Sequence, residues 1–112
     1  MDINHAVVAL SALSQETRLR VFKLLIEYGV QGTPAGQLSE QLDIPHNTLS
    51  FHLSHLSHAG LVKSRRIGRS IIYTASPDVI ETLLSFMVEN CCARGKSPEC
   101  CSPSKKKRAK KL

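Results

Sequence analysis

The fold is decided by residues 45–60, which read PHNTLSFHLSHLSHAG. The residue before a proline is disfavoured in the helical region, so a helix is expected to begin at about His46. Gly60 ends the helical pattern, which predicts a helix over 46–59. Its apolar positions recur four and three residues apart, on one side of the helix: Leu49, Leu53 and Leu56.

The outer face of this helix carries the groups that a DNA-reading helix needs. Polar side chains near its N-terminal end can reach base edges, and small or apolar ones can contact a thymine methyl group. An exposed Phe51 fits this role, whereas the alternative is that its ring packs beneath a neighbouring helix. The predicted DNA-contacting residues of the helix are His46, Asn47, Thr48, Ser50, Phe51, Ser54 and His55.

The four histidines of this helix also raise the question of a metal site. His52 lies near the apolar edge of the helix and is predicted to be a partly buried structural residue rather than a ligand. His46, His55 and His58 suggest zinc, but matching carboxylates are not nearby in the sequence. We therefore expect a solvated or phosphate-facing role for these three.

The flanking segments predict a winged helix-turn-helix. A short helix is expected up to about Leu42, because Thr33 and Pro34 are typical of a cap and a first helical position. After a tight connection and the helix of residues 46–59, two β-rich runs follow at 61–65 and 70–74, with a glycine-containing turn between them. The predicted fold class is mainly α with a β-hairpin.

Positive charge is concentrated on this hairpin and at the end of the chain. Residues 1–90 hold seven basic and eight acidic side chains, which give a net charge of −1. Since the whole chain has a net charge of +6, residues 91–112 carry a net charge of +7. The hairpin is expected to contact DNA phosphates or the minor groove, and a merely solvated hairpin is the alternative. Its basic residues are Lys63, Arg65, Arg66 and Arg69.

Three more helices are expected. The first runs through the apolar residues between Ala6 and Leu13, and the second opens with Ser14 as its N-cap and ends at Gly29. The fifth begins at Ser76 and ends near Asn90. The inner face of the second helix is predicted to contain Leu19, Phe22, Leu25 and Ile26.

The fifth helix predicts a homodimer. Its apolar residues spread over an arc too wide for one small domain to cover, so a partner chain is the natural cover, with the first helix beside it. Such a dimer would hold two DNA-reading helices one turn of DNA apart, about 34 Å. The apolar residues are Val79, Ile80, Leu83, Leu84, Phe86 and Met87.

Length and composition limit the function classes. The 112 residues, with no Trp, allow one domain, predicted over 1–90, with an aliphatic core. The longest apolar run, Ala6 to Leu10, is too short for a membrane span, and the first five residues lack the basic start of a signal peptide. We expect a soluble cytoplasmic protein that is not an enzyme, since catalytic motifs and the Cys-x-x-Cys of thiol exchange are absent from the sequence.

Three stretches of the sequence point to a known family: LSQETRLR at 13–20, LSFHL at 49–53 and AGLV at 59–62. Over roughly residues 5–90 the sequence resembles the ArsR/SmtB metalloregulators. The resemblance implies a homodimeric winged-helix repressor that occupies operator DNA, needs no cofactor to do so, and is loosened by a thiophilic or divalent metal ion.

Two of the family's metal sites do not match this sequence. The third helix often carries a Cys-x-Cys in the family, whereas residues 33–38 read TPAGQL here. The last helix of zinc-sensing members supplies Asp, His and Glu ligands, but residues 76–90 contain no histidine. Phe51 also stands where the family often has a polar residue, so operator preference is expected to differ.

All four cysteines lie in a segment predicted over 91–104, ahead of a basic tail at 105–112 that is expected to be disordered. In the cytosol they would be free thiols. The resemblance implies a site for As(III) or Sb(III) on Cys91, Cys92 and Cys100, with Cys101 as an alternate third ligand, because soft thiolates select soft ions. Zinc or cadmium on all four, a disulfide switch, incidental thiols and a constitutive architectural DNA-binding protein stay open as alternatives.

Overall fold

The structure is a computed structural model that describes residues 1–95. It confirms the predicted class, a mainly helical winged helix-turn-helix, and adds one strand to the hairpin. The helices are α1 (Ile3–Leu13), α2 (Glu16–Tyr28), α3 (Ala35–Leu42), α4 (His46–His58) and α5 (Pro77–Val88), with a short 3₁₀ turn at Gly29–Gln31. The strands are β1 (Thr33–Pro34), β2 (Val62–Ile67) and β3 (Ser70–Ala75).

The main core is aliphatic, as predicted, and lies where α2, α3 and α4 meet the start of β2. Phe22 adds an aromatic ring to it. Burial of one leucine side chain contributes roughly 1.5–3 kcal/mol, so this cluster is the main source of stability that fixes α4 in place. The leucines with no exposed surface are Leu25, Leu38, Leu49, Leu56 and Leu61.

The N-cap of α2 differs from the prediction by one residue. Ser14 closes α1 instead, because its hydroxyl donates to the carbonyl of Ser11 over 2.9 Å. Gln15 is the N-cap of α2, and its side-chain oxygen accepts from the backbone N–H of Arg18 over 2.9 Å. A serine at the junction of two helices can serve either one, and local sequence does not decide which.

The inner face of α2 is also rotated relative to the prediction. Val21, Phe22 and Leu25 are buried, whereas Leu19 and Ile26 are exposed. The helix packs against α4 and the sheet rather than along the stripe that the apolar pattern alone indicated. The prediction that Leu19 and Ile26 face the core was therefore wrong.

Thr33 and Pro34 form strand β1 rather than the start of α3. They pair antiparallel with Tyr73 and Ile72 of β3, giving a three-stranded sheet of order β1-β3-β2. The prediction of a cap and first helical turn failed because pairing with a strand almost 40 residues away overrides a local signal. A proline is tolerated here because β1 is an edge strand.

The chain enters β1 through Gly32, which only glycine can occupy without rearrangement. Its φ is +68°, and a Cβ at this position would lie 2.2 Å from the backbone oxygen of Tyr73. Both the left-handed conformation and the close strand contact exclude a side chain.

The hairpin is longer than predicted and its turn is tighter. Pairing continues to Ile67 and Ser70, so only Gly68 and Arg69 connect the strands, instead of four residues. Gly68 has a φ of +61°, which two-residue hairpin turns require at their first central position. We call the hairpin of β2 and β3 the wing.

The two terminal helices pack against each other around Ala6, Ala9 and Leu83. Helix α1 begins earlier than predicted, at Ile3, because the Asp2 carboxylate accepts from the backbone N–H of His5 over 2.8 Å. Helix α5 ends at Val88 rather than near Asn90.

Helices α1 and α5 leave an apolar surface uncovered, which we call the terminal-helix face. Of the α5 residues predicted to need a partner chain, Leu84 and Met87 are exposed. Leu83 is instead buried, and Val79, Ile80 and Phe86 are partly buried against the chain's own core, so the uncovered arc of α5 is narrower than predicted. The members of the terminal-helix face are Ile3, Val7, Val8, Leu10, Leu84, Met87 and Val88. Separately, none of the helices within residues 1–95 is long and apolar enough to span a membrane.

Candidate nucleic-acid interface

The connection between α3 and α4 is held by its own hydrogen bonds. Asp43 ends α3 in a left-handed conformation, with a φ of +55°. Ser39 then closes the turn on Ile44 twice: its hydroxyl donates to the Ile44 carbonyl over 2.5 Å, and its carbonyl accepts from the Ile44 N–H over 3.1 Å. This turn fixes the angle at which α4 leaves the core.

Helix α4 presents its predicted outer face to solvent. Phe51 is 59% exposed, so the alternative that it packs beneath a neighbouring helix was wrong. Its ring meets the imidazole of His55 edge-on, with centroids 4.6 Å apart. All the residues predicted to contact DNA are exposed, as are Ser57 and His58; the predicted ones are His46, Asn47, Thr48, Ser50, Phe51, Ser54 and His55.

His52 is a buried structural histidine, as predicted. It is 8% exposed, and its Nδ1 accepts from Nη1 of Arg18 over 3.3 Å. This bond requires a neutral ring with its proton on Nε2. Burial, followed by the positive charges of Arg18 and His55, holds the pKa of His52 below its ordinary value.

Arg18 is a structural residue that the sequence reasoning missed. Besides contacting His52 of α4, its Nε donates over 2.8 Å to the carbonyl of Ala12 in the last turn of α1. It thus joins the first helix to the DNA-reading helix. The available signal was its spacing from Phe22 and Leu25, which puts a charged residue on the buried face of α2.

The four basic residues of the wing are all exposed, but one of them is already engaged. The Arg65 guanidinium donates to the carbonyls of Gln31 and Val30 over 3.1 and 3.5 Å, and to the hydroxyl of Thr74 over 3.4 Å. It therefore fastens the wing to the 3₁₀ turn. A phosphate contact by Arg65 stays a prediction, and it would compete with these bonds.

The other wing cations are available to a ligand. The side chains of Lys63, Arg66 and Arg69 make no hydrogen bond or ion pair to any residue between 1 and 95. Since no acid neutralises them, they form a positive surface beside α4 of the kind that attracts a phosphate backbone.

The first two cysteines converge in a turn directly after α5. Their sulfur atoms lie 3.4 Å apart. Adjacent residues of a helix point about 100° apart, but Asn90 and Cys92 have φ values of +63° and +66°, which break the helix and bring the two side chains together. We call residues 90–92 the cysteine turn.

Cys92 of this turn is disulfide-bonded in the structure, so the expectation of a free thiol does not hold for this one residue. The expectation of reduced thiols came from an assumed cytosolic environment, which is a property of the surroundings and not of the chain. Cys91 is exposed and Cys92 is half-buried.

Residues 1–95 do not assemble a complete metal site by themselves. Within that range, no group of three or more His, Cys, Asp or Glu side chains is placed to hold an ion. The other predicted ligands, Cys100 and Cys101, and the basic tail at 105–112 lie outside the described residues.

Comparison with known proteins identifies the family. A model described as a helix-turn-helix domain matches residues 13–65. The transcriptional activator HlyU of Vibrio cholerae is 30% identical over 82 residues, which cover 73% of each chain. The structure of an ArsR-like transcriptional regulator from Rhodococcus sp. RHA1 superposes with a TM-score of 0.70 and 25% identity, covering 97% of this chain and 96% of that one. The chain belongs to the ArsR-like family of winged helix-turn-helix transcriptional regulators.

Membership in the ArsR-like family confirms the predicted DNA-binding fold, and its members are transcriptional regulators rather than enzymes. A further solved structure, the homodimeric winged helix-turn-helix DNA-binding domain from Mycobacterium bovis, has a TM-score of 0.63 and 25% identity, and covers 77% of this chain and 78% of that one. The name of the Vibrio relative is that of an activator. The direction of regulation in this ArsR-like chain is therefore a separate question from its family.

Proposed function

We propose that this protein is a homodimeric repressor that grips operator DNA through α4 and the wing and releases it when As(III) or Sb(III) binds the cysteine turn. The observation that carries the proposal is the convergence of the Cys91 and Cys92 sulfurs, 3.4 Å apart, at the end of α5. A soft ion bound there would act on a helix that contributes to the proposed dimer contact.

The grip on DNA divides into reading and anchoring. Asn47, Ser50 and Phe51 lie on the exposed first half of α4, where side chains can reach base edges and thymine methyl groups in the major groove. Arg66 and Arg69, which have no partner among residues 1–95, supply charge for phosphates beside the groove.

A second copy of the chain is the proposed cover of the terminal-helix face. This face is apolar and runs along two helices that pack against each other. It contains none of the DNA-reading residues of α4. Exposed apolar surfaces of this kind mark protein interfaces. The winged helix-turn-helix domain from Mycobacterium bovis is homodimeric, which supports a second copy as the partner.

The choice of ligand follows from thiolate chemistry. Trivalent arsenic and antimony are soft ions that bind sulfur in a three-coordinate pyramid. The cysteine turn supplies two sulfurs on one side of the ion, and the third is proposed to come from Cys100, with Cys101 as its alternate. The ligands must be reduced thiolates, so Cys92 has to leave its disulfide before it can bind.

Release would be a coupling between the ion and DNA. If the ion favours a dimer geometry that misfits successive grooves, a coupling of roughly 1–3 kcal/mol lowers operator affinity 5- to 150-fold. The same coupling requires DNA to weaken arsenite binding by an equal factor.

The experiment measures operator affinity of the full chain by fluorescence anisotropy, with and without sodium arsenite. The DNA is selected from random sequence with the protein itself. A phosphine reductant keeps the thiols reduced, because a dithiol reductant would compete for arsenite. Wild type is expected to lose at least fivefold in affinity.

Variants locate the effect. Cys91→Ser with Cys92→Ser should bind DNA as wild type does but ignore arsenite, whereas Ser85→Ala, at an exposed serine of α5, should respond normally. Cys100→Ser and Cys101→Ser, tested singly, distinguish the third ligand from its alternate. If the double variant still releases DNA, the proposed site is wrong.

A thiol-disulfide switch is the second candidate, and the disulfide at Cys92 favours it. In this case oxidation, not arsenite, would change operator affinity. Diamide in place of arsenite tests it: release by diamide with no response to arsenite would replace the first proposal by the second.

A further inference from the structure

A cavity of about 360 Å³ lies where the base of the wing meets the 3₁₀ turn and the first turn of α5. Its volume is within the range of small-molecule sites in proteins, roughly 300–1,000 Å³. The residues of the terminal-helix face do not line it, so the cavity is separate from the proposed contact between two copies of the chain.

The cavity also lies on the opposite side of the wing from Arg66, one of the proposed DNA anchors. Side chains alternate between the two faces of a strand, so Arg66 of β2 shares the face of Val62, which is buried in the core. Lys63 and Arg65 belong to the other face, and both line the cavity. A ligand bound there leaves Arg66 available to DNA.

Ser76 brings an unused hydroxyl group to this cavity. It is the N-cap of α5 and is only 8% exposed. A serine at this position usually accepts from an N–H of the first helical turn, but its side chain makes no hydrogen bond with any residue between 1 and 95. Every fully enclosed side-chain polar atom in that range has a partner, so the Ser76 hydroxyl keeps some exposed surface, and the cavity that Ser76 lines is where it opens.

The charged groups around the cavity are two cations and one carboxylate. Arg65 is held in place by its three bonds to the 3₁₀ turn and to Thr74, which leave two of its five N–H groups unused. Lys63 lies opposite Thr74 in the sheet and has no charged partner among residues 1–95. Within the same range, Asp78 is the one acid of the lining.

We propose that this cavity binds a phosphate group that retains a P–OH, as free phosphate and phosphate monoesters do. The anionic oxygens accept hydrogen bonds from Lys63, Arg65 and the Ser76 hydroxyl, at the positive end of the α5 dipole. The P–OH donates to the Asp78 carboxylate.

Asp78 makes the proposed site selective. A phosphate monoester loses its second proton at a pH of about 6, so a P–OH is still present near neutrality. Sulfate and the phosphodiesters of DNA have no such proton, and the Asp78 carboxylate repels them. A surface that bound any anion would lack a carboxylate at this position.

A phosphate bound there joins two parts of the fold. Lys63 and Arg65 belong to the wing, whereas Ser76 and Asp78 begin α5, the helix that contributes to the proposed dimer contact. The consequence for operator affinity rests on the proposed function, whereas binding of the phosphate does not.

The test titrates the full-length chain with inorganic phosphate and, separately, with glycerol 3-phosphate, in the absence of DNA and arsenite. The pH is about 6, where a monoester keeps its second proton half of the time. Binding is followed at the Asp78 amide in ¹H–¹⁵N correlation spectra at constant ionic strength, because basic residues elsewhere in the chain also attract phosphate. Saturable shifts are expected with a Kd on the order of 1 mM, and the tighter of the two ligands shows whether the source is the free ion or an ester.

Selectivity is measured with two anions that lack a P–OH. Sulfate and dimethyl phosphate should each bind at least about tenfold more weakly than inorganic phosphate. Asp78→Asn removes the repulsion while keeping an acceptor oxygen. In this variant, the affinities for sulfate and phosphate should differ by less than about threefold.

Variants test the donors of the cavity. Lys63→Gln should weaken phosphate binding about tenfold. Ser76→Ala should weaken it about threefold without a change in Tm, since the hydroxyl has no partner among residues 1–95. The control Lys23→Gln makes the same charge change at an exposed position outside the lining and should bind as wild type.

Three results would overturn the proposal. The first is the absence of a saturable shift at Asp78, and the second is binding of sulfate or dimethyl phosphate as tight as that of phosphate. The third is an equal loss of phosphate binding in Arg66→Gln and Lys63→Gln, which would place the anion on the other face of the wing. Each result is obtained without DNA or arsenite, so it is distinguishable from a failure of the proposed function.

Discussion

Two neighbouring arginines of the wing should have separable roles. The side chain of Arg65 is bonded to the 3₁₀ turn and to Thr74, whereas the side chain of Arg66 makes no hydrogen bond or ion pair with any described residue. Replacing each by alanine removes the same charge from adjacent positions of β2. The pair therefore separates a structural contribution from a DNA contact, with each variant serving as the control for the other.

The magnitude for Arg65→Ala follows from its three bonds. The bond to the Gln31 carbonyl, at 3.1 Å, is well formed, whereas those to Val30 and Thr74, at 3.5 and 3.4 Å, are long. All lie in exposed surroundings, where water replaces a lost donor, so the loss is about 1 kcal/mol rather than three times that amount. For a domain of this size, about 1 kcal/mol lowers Tm by roughly 4–8 °C.

Arg66→Ala should leave stability within about 0.5 kcal/mol of wild type, as is usual for exposed residues without partners. It should instead weaken operator binding and reduce the slope of log K against log salt by about one. Thermal unfolding by circular dichroism and anisotropy at several salt concentrations measure the two effects. A stability loss for Arg66→Ala, together with an unchanged Tm for Arg65→Ala, would refute the assignment of roles.

Three further predictions concern the fold and the reading helix. Gly32→Ala should destabilise the protein by about 2–4 kcal/mol in urea unfolding, because the new Cβ would clash with the Tyr73 carbonyl. The control Gly68→Ala places its Cβ in open space and should lower the unfolding free energy by only about 1 kcal/mol. Equal effects of the two substitutions would contradict the strand contact at Gly32. The unfolding free energy should fall as the pH drops below about 6.5, by at most about 1.4 kcal/mol per pH unit. The reason is that the lowered pKa of His52 keeps its ring neutral in the folded protein, while the unfolded chain takes up the proton. His52→Gln should flatten this part of the pH profile, and an unchanged profile would show that other groups cause the pH dependence. Phe51→Ala should leave Tm unchanged, since the ring is mostly exposed, and reduce discrimination at one base pair by about 1–3 kcal/mol in competition binding; a large loss of Tm would mean that the ring packs within the protein.

The helix-turn-helix could be predicted because its signals are local. The leucine spacing of residues 45–60 places α4, and it also indicates correctly that Phe51 faces outward. Leu49, Leu53 and Leu56 are buried in the core, as their spacing within this one segment predicts. Element type and buried face therefore followed from periodicity.

The errors arose where distant contacts override local preference. Thr33 and Pro34 have the residue types of a helix start, yet pairing with β3 makes them an edge strand. The inner face of α2 includes Val21 instead of Leu19 because the neighbouring elements decide which side is covered. Such choices depend on the assembled fold rather than on the segment itself.

At the candidate site, the sequence located residue types but not their partners. Arg65 and Arg66 are equivalent in sequence, and only the position of the 3₁₀ turn separates them. The role of Arg18 likewise depends on Ala12 and His52, six and 34 residues away. Side-chain partners between distant segments cannot be predicted from the spacing of residues within one segment.

The central claim is tested most directly by titrating one reduced, operator-bound sample of the full-length chain with arsenite while recording both sulfur–arsenic absorbance and DNA anisotropy. The account predicts that absorbance saturates at one ion per chain and that DNA is released along the same curve. Saturation of the absorbance with the DNA still fully bound would contradict it.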